Sequence, residues 1–248
     1  MHQLLIDNSN SRTKFALGDS GGLIDGWRGI LHTADVTVDT LGGLLAGIRF
    51  EAVAIASVVP EKAAVITSYF ESRGIPVHQI THESPLGIAI DYPHPAQIGA
   101  DRLANAVGVV ARHGAPAIVI DFGTAVTFDA ISATPAYCGG VIAPGLGAMS
   151  GYLTQRTALL PEVDLAEPVS AIGKSTADAM RVGAVIGYRG LIRGILEAML
   201  QEMDGKPHLI ATGGDAGLIT SVMKEIDCCD PEITLDGIRR VGVAVFGG

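Results

Sequence analysis

The chain has 248 residues, of which 48% are hydrophobic and 17% are charged, and its formal net charge is −9. This length suits two domains of roughly 100–150 residues each, with enough apolar side chains to fill a core in both. The acidic balance argues against non-specific binding to nucleic acid or to an anionic membrane, because both require a basic surface.

The N-terminal apolar run is short and ends at Asp7, before a cleavable hydrophobic region forms. No uninterrupted apolar run approaches the ~20 residues of a membrane span. The cysteines are few, and two of them are adjacent, which is a poor arrangement for a disulfide framework or a zinc site. We therefore expect a cytoplasmic protein that contacts no membrane and no nucleic acid.

A short pattern occurs twice along the chain. Residues 4–11 and 118–125 each contain an apolar run, then an aspartate (Asp7 or Asp121), then small or turn-forming residues, and a second apolar run follows. Such a pattern predicts a buried strand that turns into a second strand. Two copies predict two similar folding units.

The boundary between these units is predicted where glycine and proline interrupt the chain, at Gly114-Ala115-Pro116. The predicted domains are therefore residues 1–115 and 116–248. Two further apolar runs, 52–60 and 208–215, end in small residues.

Each of these two runs precedes a predicted helix, at 61–72 and 216–225 respectively. The order of strand, turn and helix indicates α/β units, in which ligands bind at the carboxyl ends of the strands.

Two other helices are predicted at 101–112 and 176–203 from apolar residues at helical spacing. Glycine recurs along the second helix at intervals of three and four residues, which favours close approach of another helix, for example across a dimer interface. Residues 139–151 alternate glycine with apolar residues and predict a packed loop near the pocket; a flexible connection is the alternative. The recurring glycines of the helix predicted at 176–203 are Gly183, Gly187, Gly190 and Gly194.

The first hairpin has the groups that bind a nucleotide's terminal phosphates. Its backbone N–H groups and hydroxyls are donors, Arg12 or Lys14 adds positive charge, and Asp7 at the strand end can hold a hydrated Mg²⁺. A polar hairpin with a solvated basic pair is the alternative. The predicted ATP contacts are Asp7, Asn8, Ser9, Asn10, Ser11, Arg12, Thr13 and Lys14.

The second hairpin, at 121–127, repeats the acid, the turn and the hydroxyl, so the two hairpins together predict a clamp on a polyphosphate. Gly213 and Gly214 allow a backbone to approach a ligand closely. Neither the Walker A pattern nor GxGxxG occurs, so P-loop and Rossmann folds lack their defining loops. Residues 173–176 look like the end of a P-loop, but a helix cap is the better interpretation.

These motifs resemble the phosphate and adenosine loops of the sugar kinase–Hsp70–actin superfamily, and within it the chain resembles the type III pantothenate kinases (the Bvg accessory factor-like family) over nearly its whole length. That resemblance implies an α/β fold of two actin-like (ribonuclease H-like) domains, with mixed sheets flanked by helices and the nucleotide in the interdomain cleft. The stretches that carry it are Ser57-Val58-Val59-Pro60, Tyr92 with Gly99-Ala100-Asp101-Arg102, Asp121-Phe122-Gly123-Thr124-Ala125, Gly139-Gly140-Val141-Ile142-Ala143-Pro144-Gly145, Thr157-Ala158-Leu159-Leu160-Pro161 and Gly173-Lys174-Ser175-Thr176.

The resemblance also implies an activity: ATP-dependent phosphorylation of pantothenate to 4'-phosphopantothenate, the first step of coenzyme A biosynthesis. It implies that Asp101 is the general base and that Asp121 binds a monovalent cation, K⁺ or NH₄⁺. It also implies a homodimer in which Thr176 reaches the substrate of the neighbouring subunit. The implied substrate contacts are Tyr92, Gly99, Ala100, Arg102 and Thr176, and the further ATP contacts are Thr124, Gly213 and Gly214.

Alternatives remain at this stage. In the alternative interpretation, Asp101 and Arg102 are only the first turn of a helix with a solvated arginine, and Tyr92 is an aromatic side chain packed in a loop. Serine replaces the family's glycine at Ser9, which is unfavourable if the backbone there has a positive φ. The alternative functions are a kinase for another small hydroxy-acid and a non-catalytic, nucleotide-binding regulatory module.

Overall fold

The computed structural model describes residues 1–247, apart from the side chain of Ser150. Residue contacts divide the chain into two compact units. The first contains residues 1–114, 135–138 and those from 232 onward, and the second contains residues 115–134 and 139–231. The predicted domains, 1–115 and 116–248, stay a prediction, since compactness alone does not establish a domain. Gly248 lies outside the described residues.

The described chain contains both strands and helices. The strands are β1 (Gln3–Asn8), β2 (Arg12–Gly18), β3 (Leu23–His32), β4 (Ala52–Ser57), β5 (Val77–Gln79), β6 (Ala89–Ile90), β7 (Ala117–Phe122), β8 (Ala125–Ile131), β9 (Ala136–Pro144), β10 (His208–Thr212) and β11 (Cys228–Cys229). The helices are α1 (Val38–Leu44), α2 (Pro60–Glu71), α3 (Ala100–His113), α4 (Leu146–Arg156), α5 (Thr176–Glu202), α6 (Ala216–Thr220) and α7 (Ile233–Phe246).

The sheet of the first unit has the strand order β3-β2-β1-β4-β5. β1, β2 and β3 form an antiparallel meander, and β4 and β5 add in parallel beside β1. Leu4, Leu5 and Ile6 of β1 have no exposed surface, which explains why this central strand is a continuous apolar run.

The second sheet repeats this order as β9-β8-β7-β10-β11, and a sixth strand, β6, pairs with β9 at its edge. β7 and β8 form the antiparallel hairpin, and β10 lies parallel between β7 and β11. The predicted pair of similar folding units, each with a mixed sheet flanked by helices, is therefore confirmed.

Three of the predicted helices are confirmed: 61–72 as α2, 101–112 as α3 and 176–203 as α5. Ser175 caps α5, because its hydroxyl accepts the N–H of Asp178, so the interpretation of residues 173–176 as a cap is confirmed.

Two predictions were wrong. Residues 139–151 do not form a packed loop but belong to the second part of β9 and the start of α4. Their alternating side-chain exposure has the period of a strand, and pairing within the sheet outweighs the low strand preference of glycine. The helix predicted at 216–225 ends at Thr220, because turns at Met223 and Ile226 lead the chain to β11.

Helices α3 and α7 pack closely in the first unit because each has a glycine at the crossing. A Cβ on Gly237 would lie 1.9 Å from the carbonyl oxygen of Ala104, and one on Gly108 would lie 2.1 Å from that of Ile233. The backbones therefore touch where any side chain would separate them. This contact joins α7 to the helix that begins beside Asp101.

Within residues 1–247, no helix is both long enough and apolar enough to cross a membrane. The cytoplasmic location stays a prediction.

We predict that Gly237→Ala destabilises the protein by roughly 2 kcal/mol or more, because its methyl group overlaps the Ala104 backbone and α7 must move away from α3. Chemical denaturation measures the loss. Gly43→Ala is the matched control: Gly43 lies in α1 of the same unit, and an added Cβ meets no described atom within 4 Å. The control should stay within about 0.5 kcal/mol of wild type; equal losses would contradict the packing argument.

Candidate active site

Asp7 is fixed at the end of the first hairpin by partners on both carboxylate oxygens. The Ser9 hydroxyl donates to Asp7 Oδ1 at 2.7 Å, and Lys14 Nζ lies 3.3 Å from Oδ2. The Asp7 side chain is only 5% exposed, so this pairing offsets much of the cost of burying its charge. Lys14, predicted to offset phosphate charge, is thus already paired with Asp7.

A buried network of side chains shapes the turn of this hairpin. Asn8 Nδ2 donates to Thr13 Oγ1 at 2.7 Å, and Asn8 Oδ1 accepts from the Ser57 hydroxyl at 2.6 Å. Thr13 and Thr33 hydroxyls lie 3.0 Å apart, and Thr33 donates to the Ser9 carbonyl at 2.6 Å. Asn8 and Thr13, predicted as ATP contacts, have side chains that hold the hairpin's shape.

Ser9 does not cause the strain that its replacement of glycine suggested. Among the described residues, positive φ angles occur only at glycines, so Ser9 adopts an ordinary backbone conformation. Its hydroxyl instead orients Asp7. The remaining residues of the turn with exposed side chains are Asn10, Ser11 and Arg12.

Asp101 lies in the first turn of α3, where the helix dipole favours a carboxylate. Its Oδ1 accepts the N–H of Arg102 at 2.8 Å. Gly99 leaves the space for this carboxylate, since a Cβ there would lie 2.6 Å from Asp101 Oδ1. Gly99 and Ala100, predicted as substrate contacts, thus lie directly before the carboxylate on the same unit.

The pKa of Asp101 is raised above its ordinary value. Burial is the main cause, and the nearby negative charge of Asp7 raises this pKa further; the N–H of Arg102 acts in the opposite direction. Asp7 and Asp101 are therefore close enough within the first unit to interact electrostatically. A carboxyl group with a raised pKa beside a second carboxylate is typical of catalytic sites.

Arg102 and Tyr92 meet at a third residue, Tyr137. The guanidinium carbon of Arg102 lies 5.7 Å from the centre of the Tyr137 ring, and the Tyr92 ring contacts it edge to face at 6.1 Å. Tyr137 is 1% exposed. Tyr137 was not among the residues predicted from the sequence, because no local pattern shows that this part of β9 belongs to the first unit.

Gly213 and Gly145 pack against the second hairpin, whose Asp121 lies near the end of β7. Gly213 follows the neighbouring strand with φ of 94°, and a Cβ there would lie 2.6 Å from Asp121 Oδ1. Gly145 packs against the hairpin turn: its own Cβ would lie 2.4 Å from the carbonyl oxygens of Gly123 and Thr124. Glycine is thus required at both positions.

Thr176 occupies the first position of α5, on the second unit. It lines an apolar groove of about 470 Å³ together with side chains of α4 and α5 that include Met149, Leu153 and Met180. At the four recurring glycines of α5, an added Cβ would meet no atom of the described chain within 4 Å. Within the described chain, therefore, no other helix packs closely against these glycines of α5.

Cations would be bound mainly through oxygen atoms. Among the described residues, no group of three or more His, Cys, Asp or Glu side chains forms a ready metal site. Mg²⁺ bound to a triphosphate needs only one or two carboxylates with water, which Asp7 fits. Asp121 Oδ1 and the Phe122 carbonyl oxygen lie 2.6 Å and 2.5 Å from the position that a Cβ on Gly213 would take, so two oxygen atoms lie on the same side of this glycine.

We predict that Asp101→Asn makes the protein more stable at pH 7–8. Because the folded-state pKa of Asp101 is raised, wild type loses stability as the pH rises through the window above the ordinary value, and the asparagine variant carries no such penalty. Its amide oxygen can still accept the N–H of Arg102. Denaturation at several pH values measures the difference, which should vanish below a pH of about 4. A variant less stable than wild type at pH 8 would contradict the raised pKa.

A model of the type III pantothenate kinase family matches residues 3–198. A relative from Akkermansia muciniphila, named type III pantothenate kinase, is 50% identical over 239 residues, which cover 96% of this chain and 97% of the relative.

Solved structures show the same fold at low identity. The ethanolamine utilization protein EutJ from Carboxydothermus hydrogenoformans has a TM-score of 0.59 at 15% identity, over all of this chain and 90% of that one. MreB 5 of Spiroplasma citri, bound to AMPPNP, has a TM-score of 0.53 at 10% identity, over 99% and 96%. The actin-like fold is thereby confirmed, and the family match shows that this chain belongs to the type III pantothenate kinases.

Proposed function

We propose that this protein transfers the γ-phosphoryl group of ATP to the primary hydroxyl of pantothenate, and so forms 4'-phosphopantothenate at the start of coenzyme A biosynthesis. The observation that carries the proposal is the partly buried carboxylate of Asp101, whose pKa is raised and which follows Gly99 and Ala100 and precedes Arg102. Membership of the family supports the choice of substrate.

Asp101 is the proposed general base. The hydroxyl oxygen of pantothenate attacks the γ-phosphorus, its proton passes to the Asp101 carboxylate, and ADP leaves. Phosphoryl transfer requires mainly positioning and charge stabilisation, so the carboxylate needs only to orient the hydroxyl and accept its proton. Its hydrogen bond to the Arg102 N–H keeps one oxygen in place.

Arg102 is the proposed partner of the pantothenate carboxylate, since a guanidinium pairs with a carboxylate through two parallel hydrogen bonds. Gly99 and Ala100 offer backbone contacts, and Tyr92 lines the substrate pocket. Thr176 is proposed to contact the substrate of a second copy of the chain. The exposed glycines of α5 support a homodimer, because they allow a second helix to approach closely.

ATP is the proposed phosphoryl donor, with the turns of both hairpins as its binding groups. Asp7 would hold Mg²⁺ through water, and this ion would neutralise charge on the phosphates. Asp121 would bind K⁺ or NH₄⁺ for the same purpose. The other proposed ATP contacts are Asn8, Ser9, Asn10, Ser11, Arg12, Thr13, Lys14, Thr124, Gly213 and Gly214.

The assay for this function measures ATP consumption in potassium buffer with and without pantothenate, and identifies the product by mass spectrometry. Consumption that depends on pantothenate, with a product heavier by one phosphoryl group, is the expected result. Turnover with another hydroxy-acid but not with pantothenate would indicate a different substrate. ATP binding without turnover of either would indicate a regulatory module.

We predict that Asp101→Asn lowers kcat by at least about 100-fold, because proton transfer by a positioned base contributes a factor of that order. In wild type, kcat/KM for pantothenate should fall as the pH drops through the raised pKa of Asp101, at a higher pH than for an ordinary aspartate. Initial rates across a pH series measure both effects. Near-normal turnover of a folded Asp101→Asn variant would remove the assigned role.

We also predict that replacing K⁺ by Na⁺ at matched ionic strength slows the reaction, because the oxygen atoms around Asp121 would suit the larger ion. Asp121→Asn should reduce the difference between the two salts, since it removes the charge that binds the cation. Rates in potassium, ammonium and sodium chloride measure this for both proteins. Equal wild-type rates in all three salts would contradict a monovalent-cation site.

A further inference from the structure

Tyr137 lies at the start of β9, within residues 135–138, which are part of the first unit. Its backbone is fixed by β6, where Ile90 pairs with Tyr137. The Ala89 N–H donates to the Pro135 carbonyl and the Asp91 N–H to the Tyr137 carbonyl, both at 2.9 Å. These bonds hold the backbone of Tyr137 in place, and its side chain is almost completely buried.

This ring contacts two of the side chains proposed to recognise pantothenate, Arg102 and Tyr92. The Arg102 guanidinium carbon lies 5.7 Å from its centre, within the range of a cation–π interaction, and Tyr92 meets it edge to face. Tyr92 lies two residues after Ile90, so the pairing of β6 with β9 brings the backbone before Tyr92 close to Tyr137.

The placement of Arg102 is not one that helix stability favours. A cation in the first turn of α3 faces the positive end of the helix dipole, which disfavours it. The electron-rich face of Tyr137 compensates for this and restricts the guanidinium. A long, flexible side chain that is already oriented loses less conformational entropy when it binds its ligand.

We propose that Tyr137 is a positioning residue that orients Arg102, through its ring, toward the carboxylate of the substrate. The proposal rests on the proposed function, in which Arg102 binds that carboxylate. Tyr137 acts through Arg102 and takes no part in the transfer of the phosphoryl group. Its contribution should therefore appear in the KM for the carboxylate-bearing substrate rather than in kcat.

Tyr137→Leu tests this by removing the ring, and Tyr137→Phe by keeping it. We expect Tyr137→Leu to raise the KM for pantothenate by about 10-fold, with the KM for ATP and kcat changed by less than about twofold. Tyr137→Phe should behave as wild type. An unchanged pantothenate KM in Tyr137→Leu, an equal rise in both KM values, or an equal loss in the phenylalanine variant would overturn the proposal.

Tyr69→Leu is the matched control. Tyr69 also has an arginine over its ring, with the guanidinium carbon of Arg73 at 3.8 Å, and it packs in the first unit against Phe70. The control should lose stability without a change in the pantothenate KM. If Tyr137→Leu does not fold, Tyr137→Met gives the same test, because methionine fills irregular gaps.

A second substrate separates positioning from general damage to the pocket. Pantothenyl alcohol replaces the carboxylate by a hydroxymethyl group, so Arg102 has no anion to pair with. Tyr137→Leu should leave the KM or inhibition constant of this alcohol within about twofold of wild type. The alcohol has no carboxylate, so the orientation that Tyr137 gives to Arg102 does not affect its binding. An equal penalty on both compounds would overturn the proposal, whereas failure of wild type to use pantothenate would overturn the proposed function itself.

Discussion

The burial of two neighbouring carboxylates, Asp7 and Asp101, is the constraint on which the candidate site of the first unit depends. Asp7 is almost fully buried and Asp101 partly so. Burial, with a smaller contribution from the charge of Asp7, disfavours the negatively charged form of Asp101. Asp7 stays compatible with burial because Ser9 and Lys14 contact its two oxygens. Asp101 accepts the N–H of Arg102, but burial outweighs this hydrogen bond and raises the pKa of the Asp101 carboxyl. This difference agrees with the proposed roles, in which Asp7 holds a cation and Asp101 accepts a proton.

Close backbone approach is the second device, and both units use it. Gly99 leaves space for the Asp101 carboxylate, while Gly213 and Gly145 lie against the hairpin of Asp121. At Gly213 and Gly145 a Cβ would overlap backbone atoms, so neither position tolerates a side chain, whereas at Gly99 it would displace the Asp101 carboxylate. Gly108 and Gly237 serve the same purpose between α3 and α7, which anchors the helix that begins beside the base.

The repeated pattern of an apolar run, an aspartate and a turn was sufficient to predict the two hairpins, because burial of a central strand on both faces leaves a strong local signal. Helices α3 and α5 were predicted from the spacing of their apolar residues, and α2 from its position after an apolar strand and a turn. Residues 139–151 were misread because glycine lowers strand preference locally, while pairing inside the sheet is a non-local effect. The sequence suggested backbone strain at Ser9 because the family has glycine there. The φ angle depends on the turn that the chain adopts, and in the structure Ser9 has no positive φ.

By itself the sequence determined the strand–turn–helix order, the residues of both hairpins, the Gly-Ala-Asp-Arg stretch and the family, because these depend on short-range patterns. Only the tertiary structure decided that Lys14 pairs with Asp7, that burial and a second carboxylate raise the pKa of Asp101, and that Tyr137 lies against Arg102. Tyr137 is 35 residues from Arg102 in the chain. Such contacts arise from the pairing of β6 with β9, and no local pattern encodes which side chains a distant strand brings together.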